Sequence, residues 1–381
     1  MGWWMLTVAW AQGPLDTPEP REPQWPADPS EADPPAPSPI INGERGTNGE
    51  WREAGGLIVE ATIELGGDYP GLRSRQLWCS ATLIAPDVVL TAAHCIDVDG
   101  LLQEGENQGV QAFGLSDLDF VFAPTTDLTP HQFELELLGG FEELPASAIR
   151  ATDWVAHPGF DLAELSLGLA RNADIGLVFL EEAFEGRPFG ILPTAEEGAA
   201  LDVDDDLVIV GWGQQAQDGI AGTKQVADSF IAEINRWELK VGEVAEDGRK
   251  CHGDSGGPSF REYDTDSSEP WRVIGVTSHA YDQTDCRLTG GVDTRVDAFL
   301  DWIDTTMREA CADGTRVWCE TEGIIAPPNA EGLFAWELPE EAELCGCQST
   351  SPGSGLAWLM VVPGLLVARR RSHRNRAFPK A

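Results

Sequence analysis

Three side chains of this 381-residue chain have the types needed to attack a carbonyl carbon together: Ser255, His94 and Asp174. A serine hydroxyl is a weak nucleophile until a base takes its proton. The base must be held in one tautomer, and the oxygen that gains charge needs N–H donors. Ser255 lies in Gly253-Asp254-Ser255-Gly256-Gly257-Pro258, where small neighbours permit a tight turn that leaves the hydroxyl and adjacent N–H groups open. His94 lies in Thr91-Ala92-Ala93-His94-Cys95, directly after the apolar run 81–90, and is expected at the rim of a barrel beside an anchoring cysteine. Asp174 precedes Ile175-Gly176-Leu177-Val178-Phe179-Leu180, a carboxylate at the mouth of a buried strand and suited to accept an imidazole N–H. The remaining histidines, His131, His157, His252, His279 and His373, are expected on the surface or lining a cleft.

These residues need a scaffold, and the chain's texture indicates which kind. Residues 12–39 are rich in Pro, Asp and Glu and read as an extended, acidic spacer or pro-segment. From residue 40 to about 310, short β-rich runs (56–63, 81–90, 175–180, 207–211, 273–278) alternate with Gly, Pro and Asp. That spacing predicts an all-β barrel or sandwich. One helix is expected over 294–308, with Val296, Phe299, Leu300, Ile303 and Met307 on one face. The apolar residues 1–11 end in Ala9-Trp10-Ala11, the small-x-small form of a signal segment. Residues 311–347 hold four of the eight cysteines and read as a disulfide-stabilised stalk. Residues 348–381 combine a Ser/Gly spacer, an apolar stretch of 14 residues interrupted by Pro363, and an arginine cluster. A bilayer span needs about 20 apolar residues, so this stretch is not expected to anchor durably. An even cysteine count with export-like ends favours an oxidising compartment. With 25 basic against 64 acidic residues, net −39, a nucleic-acid partner is excluded, and the dispersed acids are expected to form a solvated exterior.

TAAHC, DIGLV and GDSGGP, in that order, resemble the trypsin/chymotrypsin-like serine proteases, the S1 family. The resemblance covers about residues 40–308. Ile40-Ile41-Asn42-Gly43 is similar to the family's mature N-terminus, Gly211-Trp212-Gly213 to its central GWG, and Phe299-Leu300-Asp301-Trp302-Ile303 to its closing helix. It implies two six-stranded antiparallel β-barrels with a C-terminal helix over 40–310, and a serine endopeptidase acting on protein or peptide substrates. His94, Asp174 and Ser255 would be the triad, and Gly253 and Ser255 the oxyanion donors. Asp254 would receive the ammonium of Ile40 after cleavage of the pro-segment. Disulfides Cys79–Cys95 and Cys251–Cys286 are implied, as is substrate contact by Arg249, Lys250, His252, Ser278, His279, Ala280 and Gly291.

Two features depart from the family. The residue six before the nucleophile, an aspartate in the trypsin branch, is Arg249, followed by Lys250. Tryptic specificity is therefore not expected. A buried cation there would favour acidic P1 side chains; if Arg249 and Lys250 turn outward or pair with Asp247 or Glu246, the pocket is neutral. Pro39 before Ile40 rules out a tryptic activating cut, so the alternatives are an activating protease that tolerates proline, activation by trimming, or an enzyme that works without the insertion. The stretch between Ile96 and Asp174 exceeds the family's spacing and reads as an enlarged surface loop. The C-terminal end resembles MYXO-CTERM sorting signals, implying sorting machinery as a partner, processing at Cys347, and attachment to the outer cell surface. No metal or other cofactor is expected; Cys345 and Cys347 lack a neighbouring His for zinc. The competing reading is a catalytically silent binding module on the same fold.

Overall fold

The computed structural model describes residues 40–64, 71–100, 114–136, 140–165, 168–214, 221–264, 269–282, 289–311 and 316. The signal, spacer and sorting segments, and most of the stalk, lie outside the described residues.

Six strands close the first barrel: β2 (Ala54–Ile63), β3 (Leu72–Ala85), β4 (Val88–Thr91), β5 (Leu115–Ala123), β7 (Ile149–Ala156) and β8 (Gly176–Leu180). They pair in the order β2-β5-β7-β8-β4-β3 and return to β2, and the two-residue β6 (Glu134–Leu135) hangs on β3. The second barrel closes through β9 (Asp206–Gly211), β10 (Gln225–Ile234), β11 (Glu238–Val241), β14 (Gly291–Arg295), β13 (Trp271–Ala280) and β12 (Pro258–Glu262), with β1 (Glu44–Arg45) added to β10. All pairings within the strands are antiparallel. Closure removes free sheet edges, so alternate residues can fill each interior.

The expected run 81–90 is two strands, because Pro86 and Asp87 make the hairpin turn between β3 and β4. The stretch between Ile96 and Asp174 is not a surface loop: β5 and β7 supply two of the first barrel's six strands. Their alternation is diluted by charge, since Asp119 of β5 and Arg150 of β7 form an ion pair with Glu60 joining on β2. The closing helix runs Leu300–Cys311, after a 3-10 turn at Asp297–Phe299, while residues 294 and 295 finish β14. Val296, Phe299, Leu300, Ile303 and Met307 are all buried, as the helical spacing requires. They join the larger core, which continues from the first barrel through Trp212 and Phe260. Leu207, Ile209, Ile231, Leu239, Val241 and Ile274 form a second core inside the second barrel, and Ile40 packs into it.

Candidate active site

Ser255 sits in a turn that only glycine permits. Gly253 and Gly256 have φ of +92° and +77°. A Cβ on Gly256 would meet Thr91 Oγ1 at 2.1 Å and the Ser80 carbonyl at 2.4 Å. The turn is stitched to the first barrel: Ser80 N–H donates to the Ser255 carbonyl at 2.7 Å, and Ser80 Oγ donates to the Gly253 carbonyl at 3.0 Å. The N–H groups of Asp254, Gly256 and Gly257 each have a backbone acceptor. Those of Gly253 and Ser255 have none among the described residues, which leaves two neighbouring donors available to an oxyanion.

His94 lies in a 3-10 turn directly after β4, and Asp174 directly before β8; the pairing of these two strands brings them together over 80 residues. His94 Nδ1 is 2.7 Å from Asp174 Oδ2, and the His94 backbone N–H donates to Oδ1 at 2.8 Å. Ser278 Oγ donates to Asp174 Oδ2 at 2.5 Å, and Thr294 Oγ1 to the Asp174 carbonyl at 3.0 Å. Burial alone would raise Asp174, but the charge and hydrogen bonds of His94, with Ser278, hold the carboxyl below its ordinary value. Burial opposes charge on His94 too, and Asp174 outweighs it, so the imidazole's pKa is raised. His94 and Ser255 face a common cleft of about 350 Å³, which His252, Gly253, Trp78 and Gln214 also line. No hydrogen bond joins Ser255 Oγ to His94 in this structure; such contacts often tighten only when substrate binds.

Asp254 is fully buried behind the turn. It accepts N–H bonds from Gly213 and Cys251, each 2.8 Å, and forms no ion pair among the described residues, though the charge of Lys250 bears on it. Burial pushes its pKa up to about 6. Ile40 is completely enclosed, and Ile41 exchanges two backbone hydrogen bonds with Arg249 at 2.8 and 3.1 Å. The start of the described chain is therefore tied to the segment that leads into the Ser255 turn.

Arg249 and Lys250 do not offer an exposed cation. Arg249 is 1% exposed, and its guanidinium donates to the carbonyls of Ala245, Asp247 and Thr289. Lys250 Nζ pairs with Asp293 at 2.8 Å and donates to Ser259 Oγ at 2.9 Å. Lys250 is drawn to neither Asp247 nor Glu246; Asp293, 43 residues away, supplies its counter-charge. Both side chains are thus engaged within the protein, Arg249 by carbonyls and Lys250 by a carboxylate. Ser278, His279 and Ala280 form the end of β13 and Gly291 opens β14, where His279 pairs with Val292 and Ala280 with Gly291. The β12 pairing with β13 ends at Val276, while that of β14 continues to Ala280.

Cys79 and Cys95 form a disulfide with Cα atoms 6.2 Å apart, holding the His94 turn against β3. Their sulfurs are consumed in that bond and do not make a metal-ligating set with His94. Cys251 and Cys311 are each disulfide-bonded, but Cys286 lies outside the described residues. Neither His131 nor His157 is on the surface; both are 3% exposed. His131 bonds Glu134, and His157 is wedged between Phe299 and Trp302, where burial lowers its pKa to about 4. His373 lies outside the described residues.

The family model described as Trypsin matches residues 40–128 and 143–303. The chain belongs to the trypsin family. The CLIP domain-containing serine protease HP8 of Bombyx mori is 26% identical over 247 residues, 59% of this chain and 60% of that protein. Proproteinase E of Bos taurus is 29% identical over 244 residues, covering 60% and 83% of the two chains. The vitellin-degrading protease of Bombyx mori is 22% identical over 276 residues, 67% and 86%. Against the first relatives the chain spans only about 60% of their length. The two trypsin-family barrels account for the matched region, and no helix among the described residues is long and apolar enough to cross a membrane.

Sequence reasoning missed two residues in this trypsin-family site. Ser80 joins the barrels, since its hydroxyl also accepts the Trp212 N–H at 3.0 Å; its place next to Cys79 was the available signal. Glu238, buried behind Asp174, carried none.

Proposed function

We propose that this chain is an exported serine endopeptidase that hydrolyses peptide bonds through an acyl-enzyme intermediate. The observation that carries this reading is the imidazole of His94, bonded to a buried Asp174 and facing the same cleft as Ser255. His94 Nε2 takes the Ser255 hydroxyl proton as the Oγ–C bond forms. Gly253 and Ser255 N–H groups receive the carbonyl oxygen as it gains charge. Collapse breaks the C–N bond, with the proton passing from His94 to the leaving amine. Water then repeats the sequence, restoring Ser255. Asp174 stays ionised and fixes the tautomer.

The backbone of residues 278–280, beyond the end of the β12 pairing, is suited to pair with an extended substrate as an added strand. Because Arg249 and Lys250 are engaged internally, the preference we assign at P1 is non-tryptic and neutral. A library of P1-varied peptides tests it: Glu or Asp giving the highest kcat/KM would restore the acidic preference. Activation by a protease cutting between Pro39 and Ile40 would deliver an ammonium group to Asp254, the buried carboxyl held by two backbone N–H groups. Mass spectrometry of the mature protein should find Ile40 first. Sorting through residues 348–381 to the outer surface belongs to the same reading. A fluorophosphonate probe tests the class: it should label the wild type and leave Ser255→Ala unlabelled. A mature wild type that stays unlabelled is a binding module on this fold.

A further inference from the structure

A second buried carboxyl stands behind Asp174, and the proposed hydrolysis does not use it. Glu238, the first residue of β11, is completely enclosed. Its Oε2 accepts the Ala170 N–H at 2.5 Å, and its Oε1 has no hydrogen-bond partner among the described residues. Ala170 lies four residues before Asp174, and its carbonyl accepts from Asn235 Nδ2 at 2.8 Å. Across the sheet Glu238 pairs with Thr294, the residue whose hydroxyl bonds the Asp174 carbonyl. Glu238 therefore borders both chain segments that hold Asp174 in place.

The charged groups on the surrounding elements are otherwise committed. Arg171 and Arg236 lie over the Trp237 ring, Arg295 pairs with Asp297, and Lys240 pairs with Glu233 and Glu243. The charge that bears on Glu238 is that of Asp174, itself paired with His94. An enclosed carboxyl with one N–H donor and a like charge nearby resists ionisation.

We propose that Glu238 is a positioning residue that couples a second proton to the Asp174–His94 pair. While neutral, it leaves the imidazole free to lose its proton; once ionised, it adds a negative charge behind Asp174 and retains the proton on His94. The coupling rests on the reading of His94 as general base. Burial, with Asp174 adding to it, pushes the Glu238 carboxyl up to about 7, and Asp174 raises His94 against its own burial. The two protons then leave in coupled steps that belong to the pair.

The experiment is an NMR titration of the His94 ring in the full chain, wild type against Glu238→Gln, from about pH 5 to about pH 9. The Gln carbonyl keeps an acceptor for Ala170 N–H. The wild type should give a broadened curve; the variant should give a single-site curve with its midpoint lower by about one pH unit. The acid limb of the kcat/KM profile should move with it. Carboxyl-carbon NMR of the wild type, which needs no variant to fold, should show one glutamate titrating in step with His94. Superimposable His94 curves, or no glutamate titrating above the ordinary carboxyl range, overturn the coupling. Neither NMR readout needs turnover. An active enzyme with superimposable curves rejects the coupling alone; an inactive, unlabelled protein with coupled curves keeps it and rejects the hydrolase reading.

Discussion

Asp174 and Asp254 are both fully buried, one bonded to His94 and one inside the Ser255 turn, and their pKa values shift in opposite directions. Asp174 has three hydrogen-bond donors on its carboxylate and a partner that can carry a positive charge, so its pKa falls despite burial. Asp254 has two backbone N–H groups and only the charge of Lys250, itself paired with Asp293, and burial wins. Backbone dipoles alone do not offset the desolvation of a carboxylate, whereas a charged partner with hydrogen bonds does. The difference leaves Asp254 the less compensated of the two buried carboxyls, as the proposed pairing with the Ile40 ammonium requires.

Removing the better compensated of the two should have the largest effect. Asp174→Asn leaves the packing intact but favours the wrong imidazole tautomer, and kcat should fall by about 10⁴-fold; a much smaller loss in a folded variant would break the contrast. Next comes Lys250→Met, which strips Asp293 of its counter-ion and removes the positive charge that bears on Asp254. Leaving a buried carboxylate unpaired should cost about 3–5 kcal/mol in denaturant unfolding. Lys250→Met with Asp293→Asn should recover much of it. Third, a chain that still carries residue 39 should have a kcat/KM about 10²–10³-fold below one beginning at Ile40, comparable with losing oxyanion stabilisation. Equal rates would mean that Asp254 needs no ammonium.

The smallest effect concerns pH and uses a group unrelated to either aspartate. His157 is neutral when folded, its pKa lowered to about 4 by burial. An unfolded histidine titrates near 6.5, so the folded form binds fewer protons between the two values. The associated stability is fully present above about 6.5 and is lost as pH falls toward about 4, roughly 2 kcal/mol by pH 5. His157→Phe should flatten the urea midpoint over that window. Asp254, with its raised pKa, runs the other way: stability falls as pH rises from about 4 through about 6. Asp254→Asn should remove that component, separating the two slopes.

Much of the site was legible because its parts are local. A glycine-bracketed serine, a histidine at a strand's end and an aspartate at a strand's mouth each declare their backbone setting within a few residues. The helix face from Val296 to Met307 was legible for the same reason. β5 and β7 were not, because Asp119 and Arg150 interrupt their apolar pattern and only the pairing with Glu60 shows why charge is tolerated there.

Sequence alone therefore determined which serine, histidine and aspartate could act together and which fold they require, since spacing and backbone chemistry are properties of short segments. Tertiary structure decided the electrostatics around them. Lys250 meets Asp293 43 residues away, Ser278 meets Asp174 across 104, and Glu238 reaches Ala170 across 68. Whether a buried charge is paired depends on residues brought together by barrel closure, and no local pattern encodes that.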